Sequence, residues 1–200
     1  MIDAKVRAAW DAAMKPVGER LARVSVSPNA LTFAGVALSI IVAVAVVRDL
    51  LLVAGLAAIV AAAADALDGA VAKAGGRVSR FGAVLDSTTD RLSDALLFLP
   101  VAWLYGVSPP SGKSGQEWVA AAALVTVTAA FLVSYVRARA EGIGLDAKVG
   151  IAERAERLII VILALLFDVL PGAMVILAVL TTITFVQRLL HVRAQSQRAS

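Results

Sequence analysis

The 200-residue chain contains no cysteine and a single histidine, His191. Disulfides and cysteine-ligated metals are therefore excluded. His191 falls beyond the last apolar run, where an interfacial or solvated place suits it better than catalysis. Charged residues make up only 17% of the chain and aromatics 6%, and the three tryptophans, Trp10, Trp103 and Trp118, suit the aromatic belts of a bilayer. There is no Walker A pattern, internal repeat, low-complexity segment or soluble linker. The first segment is charged and too polar for a signal peptide. What the chain has instead is apolar length. It is 60% hydrophobic with a mean hydropathy of +0.85, whereas soluble domains sit near half apolar.

The apolar residues form runs at Leu31–Val47, Leu50–Ala64, Ala95–Val107, Trp118–Val136, Leu158–Phe167 and Ala173–Val186. A bilayer core of about 30 Å needs roughly 20 helical residues, and the shorter runs reach that length with their polar ends. The expected fold is an all-α integral membrane protein with six transmembrane helices. The net charge of +4 and pI near 9.9 follow topology, which argues against nucleic acid as a partner. Of the 19 Lys and Arg residues, only Arg48 and Lys113 lie in the loops after the first and third spans. The positive-inside rule then puts both termini in the cytoplasm. Ahead of the spans, Val6, Trp10, Met14, Val17, Leu21 and Val24 form an apolar stripe at helical spacing, with cations around it. An amphipathic interfacial helix is expected there. The expected organisation is a cytoplasmic juxtamembrane helix over 1–26, a six-helix membrane domain over 27–193 and a cytoplasmic tail over 194–200. "SGQE" at Ser114–Glu117 reads as a capping box for the fourth span, and Pro171–Gly172 as the break between the fifth and sixth.

The stretch "DALDGAVAKAGGRVSRFGAVLDSTTD", Asp65 to Asp90, interrupts this pattern. Asp65 lies fifteen residues after Leu50, which is about 22 Å of helix. That depth places it near the cytoplasmic boundary of the hydrocarbon. Asp68 is one turn further on the same face, and Asp86 and Asp90 share a face of the next span. Two antiparallel neighbours joined by a short loop bring the four carboxylates together. Charges at such depth are costly and usually functional. Lys73, Arg77, Arg80 and Arg91 are too few to neutralise them, whereas Mg²⁺ or Mn²⁺ prefers such oxygen ligands. Two ions would suit phosphoryl chemistry. Gly69, Gly75, Gly76 and Gly82 permit close backbone approach, so a nucleotide diphosphate is the natural ligand. The alternatives are an intramembrane salt-bridge cluster and an ion or proton transporter. A transporter, however, would spread its carboxylates along a pathway.

The same stretch resembles the signature of the CDP-alcohol phosphotransferases, D-x-x-D-G-x-x-A-R, eight residues, then G-x-x-x-D-x-x-x-D. Asp65, Asp68, Gly69, Ala72, Gly82, Asp86 and Asp90 match, and Lys73 stands where the family usually has arginine. The exchange keeps the charge but loses the planar fork of donors. The resemblance implies a homodimeric, six-spanning enzyme. Asp65, Asp68, Asp86 and Asp90 would ligate a pair of Mg²⁺ or Mn²⁺ ions, and Asp90 would also act as the base. Asp68, Gly69, Ala72, Lys73, Ser79 and Gly82 would line the site for the CDP head.

Ser134, Arg137, Arg139, Arg154, Arg157 and Arg188 lie at the cytoplasmic ends of the later spans. Their convergence favours a second phosphate, which guanidinium binds bidentately. Positive-inside anchoring, with Glu153 and Glu156 as partners, is the plainer reading. "SYVRARAEG", "ERAERLII" and "VQRL" resemble segments of the actinobacterial phosphatidylinositol phosphate synthases. That likeness implies transfer from CDP-diacylglycerol to inositol 1-phosphate in a bacterial plasma membrane, with the active site at the cytoplasmic face. It assigns Ser134, Arg137, Arg154 and Arg188 to the inositol phosphate. Phosphatidylglycerol phosphate synthase, whose acceptor glycerol 3-phosphate also carries a phosphate, is the alternative. Asp94, one turn beyond Asp90, is expected to orient a ligand or pair with a cation.

Overall fold

The computed structural model describes residue 20 and residues 28–74 and 79–199. Apart from Arg20, the amphipathic helix expected over 3–24 lies outside the described residues. Six helices follow: α1 (Pro28–Val47), α2 (Leu51–Ala74), α3 (Arg80–Gly106), α4 (Glu117–Glu141), α5 (Arg154–Leu166) and α6 (Leu170–Ala199). No strand occurs among the described residues, as expected.

The helices α1, α4 and α6 are long and apolar enough to cross a membrane, and the apolar part of α2 covers Leu51–Leu67. The 27 residues of α3 carry their aspartates, Asp86, Asp90 and Asp94, in the more polar stretch Arg80–Asp94 that precedes the apolar part. By contrast α5 has 13 residues, about 20 Å at the helical rise, which is shorter than the hydrocarbon core. The far end of α6 continues as helix through Ala199, past the last apolar run.

The core is the seam where these helices face one another. Phe98, Val101, Leu104 and Tyr105 of α3 meet Val119, Ala123 and Val127 of α4, with Val161, Leu165 and Met174 from α5 and α6 in the same buried cluster. Large apolar residues elsewhere, such as Phe33, Leu52, Phe81, Trp103 and Phe167, stand exposed. Helices that face lipid need no polar outer surface, so packing relies on small side chains that let backbones approach. Among the described glycines within helices, Gly55 of α2 makes the closest approach: a Cβ built there would lie 2.7 Å from Leu166 Cδ2 and 3.2 Å from the Leu166 amide nitrogen.

Two local expectations change. Gln116 is the N-cap of α4 and makes no side-chain cap, so the Ser114–Glu117 capping box does not form. Glu117 Oε1 instead accepts from the Gly115 N–H at 3.3 Å. The break before α6 falls at 167–169, where Asp168 has φ +52. Pro171 lies within the first turn of α6, where its missing N–H costs nothing. Asp49, in the α1–α2 turn, is likewise left-handed with φ +57, a conformation aspartate tolerates better than most residues. Lys113 from the α3–α4 loop bonds Asp49, lies 3.8 Å from Asp168 Oδ1, and sits 5.6 Å from the centre of the Tyr105 ring. One cation thus joins the three connections at this end of the bundle.

At the opposite end, residues 142–153 run along α6. The Asp146 N–H donates to Gln195 Oε1 (3.1 Å) and Gln195 Nε2 donates back to the Asp146 carbonyl (2.6 Å). This contact delivers the start of α5 to the aspartates. The α2–α5 approach generates one prediction. Gly55→Val overpacks that contact and is expected to cost roughly 1–3 kcal/mol, read as a lowered Tm in detergent. An unchanged Tm would contradict the close approach.

Candidate active site

Ser79 opens α3 as its N-cap, accepting from the Gly82 N–H at 2.9 Å. Its hydroxyl therefore serves the helix start that carries the aspartates. From there Asp86, Asp90 and Asp94 recur every fourth residue and share one helix face. Asp65 comes from α2. Carboxylate oxygens of Asp65, Asp86 and Asp90 all lie within 4.8 Å of one another. Asp86 is exposed, while Asp65 and Asp90 are half-buried. Asp68, Gly69, Ala72 and Lys73 belong to the last turns of α2, and the placement of their side chains is not described.

A cation reaches this cluster from a distant part of the chain. Arg154, the first residue of α5, donates from Nη1 to Asp65 Oδ2 at 2.6 Å. The same nitrogen lies 2.9 Å from Asp90 Oδ1, and Nε lies 4.0 Å from Asp94 Oδ1. Asp90 Oδ1 is buried and accepts no hydrogen bond of good geometry, so the approach of Arg154 is an ion pair alone. Arg91 stands 3.6 Å from Asp90 Oδ2. Arg154 is the neutralising group that local reading around the aspartates did not find. No spacing rule links Asp65 to a residue 89 positions away.

The expected acceptor residues converge. Ser134, Arg137, Arg154 and Arg188 all line one cavity of about 340 Å³, whose wall also includes Asp65, Asp90 and Asp94. A wider groove between α3 and α4, about 790 Å³, adjoins it through Asp90, Ser134 and Arg137. Their environments differ. Arg137 is half-buried and donates to Glu141 Oε1 at 2.9 Å. Arg188 is buried and uses every nitrogen: Nε to the Val149 carbonyl (2.8 Å), Nη1 to the Val133 carbonyl (3.1 Å) and Nη2 to Glu153 Oε1 (3.1 Å). It therefore fastens the α4–α5 segment as well as lining the cavity. Arg157 does not share a free cationic face with Arg154. It is 3% exposed and donates to Asp94 Oδ2 at 2.7 Å and to the Ala152 carbonyl at 3.2 Å. Asp94 accordingly pairs with a cation, one of its two expected roles.

The donor set suits a hard divalent cation. It offers three carboxylates from two helices with no nitrogen or sulfur among them, and Mg²⁺ and Mn²⁺ favour oxygen. The cluster and the arginine-lined cavity are contiguous, sharing Asp65, Asp90 and Arg154. An anion seated in that cavity would lie beside the carboxylates, with its charge met by the guanidinium groups.

Comparison with known proteins agrees with this chemistry. The profile of the CDP-alcohol phosphatidyltransferase family matches residues 25–185. The archaetidylinositol phosphate synthase of Pyrococcus horikoshii is 37% identical over 185 residues, covering 92% of this chain and 93% of that protein. The phosphatidylinositol phosphate synthase of Mycolicibacterium smegmatis is 38% identical over 200 residues, covering 94% and 86%. Among solved structures, the phosphatidylinositol phosphate synthase of Mycobacterium tuberculosis with CDP-DAG bound superposes with a TM-score of 0.80, at 33% identity, covering 90% of this chain and 92% of that one. The structure of that enzyme with manganese and citrate gives a TM-score of 0.81 at the same identity, covering 90% and 88%. With its helices, its acidic signature and its full-length relatives in agreement, this multi-pass membrane chain belongs to the CDP-alcohol phosphatidyltransferase family.

Proposed function

We propose that the chain transfers the phosphatidyl group of CDP-diacylglycerol to inositol 1-phosphate and releases CMP. The observation that carries this reading is the shared wall: Asp65, Asp90 and Arg154 belong both to the carboxylate cluster and to the cavity that Ser134, Arg137 and Arg188 line. Asp65, Asp86 and Asp90, completed by Asp68, would hold Mg²⁺ or Mn²⁺, with two ions for the four carboxylates. Such ions, when bound, stabilise charge developing on a transferring phosphoryl group. The rest of the chemistry falls to the chain itself. Ser134, Arg137, Arg154 and Arg188 bind the acceptor's phosphate and turn its hydroxyl toward Asp90. Asp90 takes the hydroxyl proton as the oxygen forms its bond to the β-phosphorus. The bond from that phosphorus to the bridging oxygen breaks, and CMP leaves with the electron pair. Asp68, Gly69, Ala72, Lys73, Ser79 and Gly82 surround the CDP head.

Inositol phosphate is favoured over glycerol 3-phosphate because the relatives' names differ in their lipid moiety and share the inositol phosphate. Placing the site at the cytoplasmic face of a bacterial plasma membrane leaves the acyl chains in lipid and lets the soluble acceptor enter from the cytosol. This reading includes six spans, cytoplasmic termini and a homodimer. It also includes the division into an interfacial helix over 1–26, a membrane domain over 27–193 and a tail over 194–200.

The deciding assay measures CMP release by purified protein with CDP-diacylglycerol and Mg²⁺ or Mn²⁺. Inositol 1-phosphate, free inositol and glycerol 3-phosphate are supplied separately. Inositol 1-phosphate is expected to be the productive acceptor, and activity with glycerol 3-phosphate alone would overturn the assignment. Asp90→Asn is expected to lower kcat by at least about 100-fold with folding intact, the range of a lost general base. Arg154→Ala should raise KM for the acceptor by roughly 10- to 100-fold, as for a lost charge-assisted hydrogen bond. For the metal, Asp86→Asn should weaken Mn²⁺ binding by at least about tenfold, read by electron paramagnetic resonance without substrate. Unaltered binding would remove Asp86 from the ligand set.

A further inference from the structure

A buried hydrogen-bond path begins on α6, away from the cavity, and ends at residues that line it. Thr184, fully buried on α6, accepts from the Ala152 N–H at 2.9 Å and donates to its own helix at the Leu180 carbonyl, 2.9 Å away. The carbonyl of the same buried Ala152 accepts from Arg157 Nη1 at 3.2 Å. Arg157 continues to Asp94 at 2.7 Å, and Asp94 stands 4.0 Å from Arg154 Nε. The path runs from α6 through the α4–α5 segment and α5 to α3.

Each joint has a physical reason to be specific. The Ala152 peptide is buried on both its polar sides, and an unmet N–H there would carry a full desolvation cost. Arg157 is a buried guanidinium whose charge is met by one carboxylate, and removing either partner leaves an uncompensated charge. Gly150 lets the segment lie against α6. Its φ is +140, and a Cβ there would lie 2.3 Å from Thr184 Cγ2. The two residues after Ala152 are Glu153, which holds Arg188, and Arg154, which holds Asp65. A displaced Ala152 therefore displaces Arg154 and Arg188, two of the arginines that line the cavity.

We infer that Thr184, acting through the Ala152 peptide and the Arg157–Asp94 pair, is a positioning residue for the acceptor-phosphate site. It contacts no substrate. It sets where the segment 150–154 rests, and so where Arg154 and Arg188 point. The effect on catalysis rests on the acceptor reading above. The effect on the segment does not.

The test uses the full chain in detergent or nanodiscs. Thr184→Val keeps the shape and removes the acceptor, Thr184→Ser keeps the hydroxyl, and Gly150→Ala attacks the same joint from the segment. Hydrogen–deuterium exchange over 145–157 should speed up in Thr184→Val and Gly150→Ala and stay near wild type in Thr184→Ser. In the CMP-release assay, Thr184→Val should raise KM for inositol 1-phosphate about fivefold or more. KM for CDP-diacylglycerol, kcat and Mn²⁺ affinity should change less than about twofold, and Thr184→Ser should restore the acceptor KM. Unchanged exchange in both Thr184→Val and Gly150→Ala would overturn the inference, as would equal losses in kcat and in both KM values. If wild type ignores inositol 1-phosphate, the acceptor reading fails, and the exchange experiment still decides whether Thr184 holds the segment.

Discussion

Three carboxylates within 4.8 Å of one another at the end of an apolar bundle repel strongly unless positive charge stands among them. The Arg154 guanidinium provides it, spanning Asp65 and Asp90 at 2.6 and 2.9 Å. Much of the architecture at this end serves that placement. The helix α5 runs from Arg154, which meets Asp65, to Leu166, which packs against Gly55 of α2. The segment before it is held on α6 by Gln195, Arg188 and Thr184 in turn. An arginine suits the position, since one terminal nitrogen, Nη1, lies between the two carboxylates and its charge persists through burial.

The two ends of the bundle use charge differently. At one, Lys113 joins three connections and meets two aspartates, both in left-handed turns. That cluster makes a mechanical clasp between the connections. At the other, arginine–acid pairs surround open space. Arg157 and Arg188 are each 3% exposed. Main-chain and carboxylate partners satisfy all three nitrogens of Arg188 and both terminal nitrogens of Arg157, whose Nε has no hydrogen-bond partner among the described residues. Buried ion pairs contribute little net stability and lose much when one partner is removed. Their value here is directional, because each holds a backbone segment in one place against an otherwise apolar bundle.

In the proposed reaction one substrate is anchored in lipid and the other is soluble, so a single site must take both. Carboxylates from α2 and α3 and arginines from α4, α5 and α6 wall one space there. The family relationship accounts for the acidic half. The basic half is the proposed seat of the acceptor's phosphate.

Much of this was legible in the chain. Apolar runs of membrane length, the helical class and the pairing of Asp65 with Asp86 and Asp90 follow from local periodicity and spacing, which depend on near neighbours alone. So does the convergence of Ser134, Arg137, Arg154 and Arg188, once all their helices end on one side. Other features depend on contacts between distant segments. Arg154 meets an aspartate 89 residues earlier, Arg157 turns inward to Asp94, and Arg188 anchors a backbone, although all three look alike as cations at helix ends. Thr184 and Gly150 carry no local mark at all. Residue order decided which groups arrive at this end of the bundle and on which helix face. Only the packing of α5 between α2 and α6 decided which cation each carboxylate receives, because that depends on helix-to-helix distances of a few ångströms that no spacing along the chain encodes.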